Sequence, residues 1–187
     1  AECAEFFRKV GTENNTVNAA MFVGGGKLTV YLAKALADTK IRIKIIEQDE
    51  ERCRILSELL PHAMIIHGDG SDQKLLLEEG IRQTEAFASL TGFDEENILL
   101  SLYAASQSRA KLITKVNKIA FETVINALNL GSVLYPKMLT ADLILQYVRA
   151  LPNSMGSNLE TLYKIVAEPA APLEFRARGD SHVLGIP

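Results

Sequence analysis

Short apolar runs alternate along the middle of the chain with segments whose apolar residues recur at helical spacing. The run at 41–46 is rich in β-branched residues, and several of the runs end beside glycine turns, as is typical of buried strands. The runs cover residues 19–23, 41–46, 63–67, 85–90, 111–116 and 132–134, with helical patterns at 27–37, 50–60, 73–79, 94–106 and 121–129. This alternation predicts βαβ crossovers, and hence an α/β, doubly wound parallel six-stranded sheet over residues 19–136.

The segments on either side of this domain follow other patterns. Residues 1–18 combine a short amphipathic helix over 2–10 with a polar linker, and we assign them to a preceding module. Residues 137–150 predict a helix that is apolar around most of its girth. Such a helix must be covered on several sides, which indicates either a core helix or a crossover/dimerisation helix at a subunit interface.

The end of the chain predicts a linker and part of a second lobe. Residues 151–158 have the composition of a linker. Residues 159–187 contain two strand-like runs, 162–166 and 173–177, which we expect to pair. Because so short a segment cannot build its own core, we expect the truncated start of a second lobe, in a fragment of a longer chain.

Composition excludes several classes of function. Of 187 residues, 48% are hydrophobic and 23% are charged, and the formal net charge is −3. No basic stretch offers the positive footprint that nucleic acid requires, so nucleic acid is excluded as the main partner. No apolar segment approaches the ~20 residues that cross a bilayer, so we expect no direct membrane insertion. Cys3 and Cys53 lack metal-binding spacing, and we interpret them as reduced structural thiols of a cytoplasmic protein.

The turn Gly24-Gly25-Gly26 follows the first strand and opens the first helix. Gly24 permits a tight turn and Gly26 lets a pyrophosphate approach the backbone, while the helix N-terminus attracts its negative charge. The spacing is that of the Rossmann-like dinucleotide fingerprint, except that Thr29 replaces the third glycine. We expect the branched side chain of Thr29 to push the helix outward slightly and to weaken nucleotide affinity.

Ligands of a doubly wound sheet bind over the carboxyl ends of its strands. Glu47 lies about twenty residues beyond the glycines, where an acid accepts hydrogen bonds from ribose hydroxyls; the alternative is a solvated strand-end charge. Asp69 follows the third strand, on the adenine side of the expected pocket. Thr91 follows the fourth strand, and its Thr-x-x-Asp spacing indicates a helix cap, a ligand contact or both. Lys115 ends the fifth strand as either a solvated lysine or a group that neutralises phosphate.

No candidate catalytic group or metal cluster accompanies this cradle in the sequence. There is no Tyr-x-x-x-Lys pair, no cysteine–histidine metal spacing and no local support for a Ser–His–Asp arrangement. Hydride transfer needs a substrate pocket and usually a proton donor. We therefore expect nucleotide binding without catalysis, with NAD or an adenine nucleotide preferred over NADP because a carboxylate repels a 2′-phosphate.

Five segments together resemble the RCK (KTN) nucleotide-binding domains of the TrkA family of potassium uptake proteins. They read MFVGGGKL from Met21, IE from Ile46, IHGDGSD from Ile66, LTGFDEEN from Leu90 and KVN from Lys115. The His-Gly-Asp-Gly turn and the Asp-Glu-Glu-Asn block are unusual among Rossmann domains and make the resemblance specific. It implies contacts to NAD/NADH or ATP/ADP from Gly24, Gly25, Gly26, Lys27, Leu28, Glu47, Asp69, Thr91 and Lys115. Many family members have arginine where this chain has lysine at 115, which keeps the charge but loses the bidentate fork.

The resemblance also implies a function and partners. Chains of this family often carry two modules in tandem, and this one looks like the second. The resemblance implies a cytoplasmic regulatory subunit that assembles as a homo-oligomeric dimer or ring, senses the nucleotide and gates a membrane potassium-translocating subunit. Such a protein is peripheral to the inner membrane through that partner. Two alternatives stay open: the cofactor domain of an NAD-dependent dehydrogenase, and a degenerate module kept for assembly only.

Overall fold

The computed structural model describes residues 17–118, 122–154, 159–162 and 173–175. The chain divides into two units, Ala1–Tyr135 and Pro136–Pro187. The strands of the first unit are β1 (Ala19–Val23), β2 (Arg42–Glu47), β3 (Ala63–His67), β4 (Ala86–Ser89), β5 (Lys111–Lys115) and β6 (Ser132–Leu134). Its helices are α1 (Lys27–Ala35), α2 (Glu50–Leu59), α3 (Gln73–Glu78), α4 (Asp94–Gln107) and α5 (Glu122–Ala127), with a 3₁₀ turn at Ile81–Gln83.

The six strands form one sheet in the order β3-β2-β1-β4-β5-β6, and every pairing is parallel. In this register Val23, the last residue of β1, lies beside Ile46 of β2 and Ser89 of β4. The order reverses at β1, because β2 and β3 extend the sheet to one side and β4 to β6 extend it to the other. The predicted doubly wound, Rossmann-like fold is confirmed, and the reversal creates the crevice where such sheets bind ligands.

Helices cover both faces of the central strands. Phe22 packs on one face with Leu56 of α2, whereas Val23 packs on the other with Leu76 of α3 and Leu100 of α4. All five of these side chains are buried. Burial on both faces explains why β1 reads as a continuous apolar run instead of an alternating one.

The second unit begins with α6 (Pro136–Ser154), followed by β7 (Leu159–Leu162) and β8 (Leu173–Phe175). Residues 151–154, predicted as linker, are helical, so that part of the linker prediction was wrong. The fixed φ of proline, about −65°, is compatible with a helix, although Pro152 has no N–H to donate, so local composition does not mark where this helix ends. β7 and β8 pair antiparallel. β8 lies within the expected run 173–177, whereas β7 begins earlier than expected and shares only Leu162 with the expected run 162–166. The remainder of those runs and the predicted helix over 2–10 lie outside the described residues.

Large apolar side chains of α6 are exposed over most of its length. The exposed ones are Met138, Leu139, Leu143, Ile144, Leu145, Tyr147 and Val148. The apolar pattern predicted for residues 137–150 thus belongs to a helix with many exposed apolar side chains. No helix within those residues is long and apolar enough to span a membrane. The domain boundaries at 1–18, 19–136, 137–150 and 159–187 stay a prediction.

Candidate functional site

A cavity of about 330 Å³ opens over the carboxyl ends of β1, β2, β4 and β5. Its lining includes six of the nine predicted site residues: Gly24, Gly25, Gly26, Glu47, Thr91 and Lys115. They meet because parallel strands all end at the same edge of a sheet, although up to 91 positions separate them in sequence. Larger hollows of about 680 and 880 Å³ lie at the opposite edge, near the starts of the strands and away from the glycine turn. The smaller cavity is therefore the candidate site, because six of the predicted site residues line it and do not line these two larger hollows.

The glycine turn is shaped by close contacts that exclude side chains. Gly24 has φ of 97°, and a Cβ there would lie 2.9 Å from the Thr91 backbone. A Cβ at Gly25 would lie 2.4 Å from Leu56 Cδ1 and 2.8 Å from Glu47 Oε2. Gly26 is different: it is the N-cap of α1, has open space around it, and makes no side-chain capping bond. The first N–H groups of α1 therefore face a space that an anionic group can enter.

Thr29 does not obstruct this space. Its side chain is fully buried, and its hydroxyl donates to the Gly24 carbonyl. It is not among the residues that line the cavity. The branched side chain is thus accommodated beneath the turn, where it satisfies a backbone acceptor, and it does not fill the volume that a phosphate would need.

Two side chains hold the backbone of Gly25, one at its N–H group and one at its carbonyl oxygen. Glu47 Oε2 accepts a 2.7 Å hydrogen bond from Gly25 N, and Arg52 Nε donates a 2.6 Å bond to Gly25 O. The other oxygen of Glu47 accepts from Asp49 N at 2.9 Å. Glu47 is half-buried and lies against the turn. Beneath it, burial first and then the charges of Glu47 and Asp49 raise the pKa of the Cys53 thiol. That thiol stays protonated and unreactive at neutral pH.

The turn after β4 is held by side chains of α4. The Thr91 hydroxyl accepts from Phe93 N at 3.2 Å and lies 3.2 Å from Glu96 Oε2, to which it can donate. The N-cap of α4 is Phe93, not Thr91, so the capping-box interpretation was wrong. Helix α4 begins two residues later than that motif requires. Thr91 is left at the cavity wall.

Asn97 is fully buried and connects the carboxyl ends of β4 and β5, which we call the β4–β5 corner. Its side chain accepts from Thr91 N at 2.9 Å and donates to Thr91 O at 3.3 Å and to Lys115 O at 3.0 Å. Lys115 Nζ donates to the same Thr91 carbonyl at 2.9 Å. The carboxyl ends of β4 and β5 are therefore tied together through one amide.

Asp94, in the first turn of α4, anchors the loop that follows β5. Its carboxylate accepts from Asn117 N and Nδ2 at 2.8 Å and from Lys118 N at 2.9 Å. Burial alone would raise the pKa of this carboxyl, but these bonds and the nearby Lys115 charge outweigh burial and hold the pKa below its usual value. The charged form is thus the one that holds the loop.

Three predicted site residues do not line the cavity. Lys27 is exposed on the first turn of α1, and Leu28 is half-buried and packs against the core. Asp69 is exposed, and its carboxylate accepts from Ser71 N and Oγ at 2.8 Å, which lowers its pKa. Their roles in binding stay predictions. Of Lys27 and Leu28, the part that lies at the open N-terminus of α1 is the backbone N–H group, because these are the first two residues of the helix.

Eight residues that line the cavity were not predicted as site residues, among them Gln48, Gly70, Phe93 and Glu96. Gly70 lies against β1, since a Cβ there would meet Val23 Cγ1 at 2.2 Å. Its signal was present in the Gly-Asp-Gly turn, where the aspartate attracted attention instead. Among the described residues, no group of three or more His, Cys, Asp or Glu side chains has the arrangement of a metal site.

The family model of the TrkA-N domain matches residues 20–136, and these residues make up more than half of the chain. The chain belongs to the TrkA-N domain family. The predicted resemblance is confirmed. The matched range contains the six-stranded sheet except for Ala19, and every residue that lines the cavity.

Two named relatives align with nearly all of this TrkA-N chain. Trk system potassium uptake protein TrkA homolog 2 of Methanosarcina mazei is 30% identical over 178 residues, which are 95% of this chain and 38% of that protein. Trk system potassium uptake protein TrkA of Haemophilus influenzae is 32% identical over 166 residues, 89% of this chain and 35% of that protein. The chain therefore spans little more than a third of the length of these relatives.

Solved structures share the fold at lower identity. The TrkA-N domain of the inner membrane protein ybaL from Escherichia coli superposes with a TM-score of 0.63 at 16% identity, covering 72% of this chain and 98% of that domain. The GsuK channel bound to NAD superposes with a TM-score of 0.57 at 15% identity, covering 88% of this chain and 29% of the channel. At such identities the likeness shows that the TrkA-N fold is shared, and no more.

Proposed function

We propose that this chain is a nucleotide-sensing regulatory module of a Trk-type potassium uptake system, which binds NAD(H) or ATP/ADP and gates a membrane potassium-translocating subunit. One observation carries the proposal. The uncapped N-terminus of α1 opens into a cavity that also presents Glu47, Thr91 and Lys115. Anion-binding N–H groups, an acid for a ribose and a cation for a phosphate thus lie together.

The residues present fit a nucleotide. The open space at Gly26 leaves room for a phosphate against the first turn of α1. Glu47 is held against the turn by hydrogen bonds from Gly25 N and Asp49 N, which orient its carboxylate for ribose hydroxyls. The same charge disfavours a 2′-phosphate, so NAD is preferred over NADP. Lys115 adds a positive charge at the far wall.

The function proposed is sensing, not catalysis. The titratable side chains lining the cavity are Glu47, Glu96 and Lys115. Each is hydrogen-bonded to the backbone or the hydroxyl of the two turns. Side chains that make these hydrogen bonds fix the shape of the two turns and hence of the binding site. A ligand that they bind shifts a conformational equilibrium only through its different affinity for the two states.

The proposed partners are a second copy of the chain and a membrane subunit. The relatives are named as Trk system potassium uptake proteins, which supports a role beside a potassium-translocating subunit. The exposed apolar side chains of α6 support its use as a crossover or dimerisation helix in a homo-oligomeric dimer or ring. We place such an assembly in the cytoplasm, peripheral to the inner membrane through its partner.

Thermal unfolding with added NAD, NADH, ATP, ADP and NADP tests the binding proposal. A ligand at about 100 times its Kd stabilises the folded state by about 2.7 kcal/mol, which corresponds to roughly 5–10 °C in Tm for a chain of this size. Glu47→Ala should reduce the shift given by NAD. Glu58→Ala removes an exposed carboxylate of α2, away from the cavity, and should leave the shift unchanged.

Three results would contradict the proposal in different ways. The absence of any shift at millimolar nucleotide, with an intact oligomer, would favour the assembly-only module. Oxidation or reduction of nicotinamide by the protein would favour the dehydrogenase. An equal shift in wild type and Glu47→Ala would show that the nucleotide binds elsewhere.

A further inference from the structure

The cavity extends to both sides of β1, because the sheet order places β2 and β3 on one side and β4 and β5 on the other. Glu47, Gln48 and Gly70 line the β2–β3 side. Thr91, Phe93, Glu96 and Lys115 line the β4–β5 side. Between them, the Gly24 turn touches the Thr91 backbone so closely that a Cβ at Gly24 would be 2.9 Å from Thr91 Cα. The cavity therefore has two halves, joined over the glycine turn.

A carboxylate is present in each half. Glu47 lies in the first, bonded to Gly25 N at 2.7 Å. Glu96 lies in the second, 3.2 Å from the Thr91 hydroxyl. Glu96 also borders a neighbouring hollow whose walls include Leu99, Leu100 and Tyr103. Glu96 is itself half-buried, so solvent screens its charge only in part.

The second half thus contains one carboxylate and one ammonium group, both directed at Thr91. Lys115 Nζ donates to the Thr91 carbonyl at 2.9 Å, while Glu96 lies beside the Thr91 hydroxyl. To first order these two charges cancel. A half with no net charge, and with a carboxylate ready to accept hydroxyl hydrogens, suits a sugar better than it suits a chain of phosphates.

We propose that Glu96 makes the cavity selective for a dinucleotide over a nucleoside triphosphate. This rests on the proposed nucleotide binding at the same site. A dinucleotide carries a ribose on each side of its pyrophosphate, so that each carboxylate has a diol to accept from. A nucleoside triphosphate has its only ribose on one side and concentrates negative charge on the other, against Glu96. Without Glu96, Lys115 would give the second half a net positive charge that favours the triphosphate.

Calorimetric titration of the protein with NAD and with magnesium-free ATP tests this inference. Glu96→Gln keeps the length of the side chain and a polar contact to Thr91 but removes the charge. We expect the ratio Kd(ATP)/Kd(NAD) to fall about tenfold in this variant, as follows from removing one partly screened charge close to the triphosphate. Glu96→Ala should lower the ratio in the same direction.

Glu95→Gln is the matched control. It removes the same charge from the adjacent residue in the first turn of α4, where Glu95 is exposed and outside the cavity lining. Net charge and the helix N-terminus are therefore altered equally, and the ratio should stay within about twofold of wild type. Urea unfolding verifies that all three variants are folded.

The outcomes separate this inference from the proposed function. If wild type binds NAD and Glu96→Gln leaves the ratio unchanged, only the selectivity assigned to Glu96 is overturned. The same holds if Glu95→Gln lowers the ratio as much as Glu96→Gln does. If wild type binds neither nucleotide, the nucleotide site and the inference fail together.

Discussion

Truncation of the buried Asn97 should destabilise the corner where β4 and β5 end. The amide of Asn97 makes three hydrogen bonds, to Thr91 N, Thr91 O and Lys115 O. In Asn97→Ala, Thr91 O keeps the Lys115 ammonium as a donor, whereas Thr91 N and Lys115 O lose the amide. Each of these two polar groups left without a partner costs about 1–3 kcal/mol, so we expect a loss of about 2–6 kcal/mol in the free energy of unfolding.

Urea unfolding followed by circular dichroism measures this loss, and a thermal scan should show Tm lowered by roughly 5–25 °C. Asn129→Ala is the matched control, because it makes the same truncation at an exposed position and should cost less than about 0.5 kcal/mol. Nucleotide affinity should also fall in Asn97→Ala, since Thr91 and Lys115 line the cavity. If the two variants are equally stable, Asn97 does not brace this corner and the reasoning is refuted.

Three further predictions concern the turn, the anchoring loop and the core. Gly25→Ala places a Cβ 2.4 Å from Leu56 Cδ1, so it should lower the free energy of unfolding by about 1–3 kcal/mol and weaken nucleotide binding. The control is Gly92→Ala, whose Cβ meets nothing within 4 Å. Equal stability of the two variants in urea would contradict this prediction. The pKa of Asp94 is lowered in the folded state, so wild type should be more stable than Asp94→Asn by about 1–2 kcal/mol. This difference in the free energy of unfolding should be complete above about pH 5 and should disappear as the pH falls below about 4. A difference that does not depend on pH would show that the charge has no role. Leu56→Ala empties a fully buried position and should cost about 2–5 kcal/mol, while Leu59→Ala, at a position 43% exposed, should cost much less in the same titration.

The sheet could be predicted from the sequence because its determinants are local. Parallel strands covered on both faces appear as short apolar runs, and the helices between them keep their own period. The handedness of βαβ crossovers then leaves few ways to order six strands. The end of α6 was predicted less well, since the proline-containing segment at 151–154 continues a helix that was already formed.

The candidate site could be predicted in part for the same reason. Gly24, Gly25 and Gly26 were identified by their position between a strand and a helix, and Glu47, Thr91 and Lys115 by their place at strand ends. Glu96 was not selected, because its relation to the cavity depends on how α4 packs against β4 and β5. The role of Thr29 could not be predicted from the sequence pattern either. The pattern shows a branched residue at a glycine position, but it does not show that the hydroxyl donates to the Gly24 carbonyl.

The sequence alone determined the alternation of strands and helices, the position of the glycine turn, and the acid and lysine at the strand ends. These follow from periodicity along the chain and from backbone conformations that glycine readily adopts. Only the tertiary structure decided that Asp69 lies outside the cavity while Glu96 lies within it, and that one buried asparagine ties two strand ends together. Such relations join residues far apart in sequence, and side-chain packing in three dimensions sets their orientation.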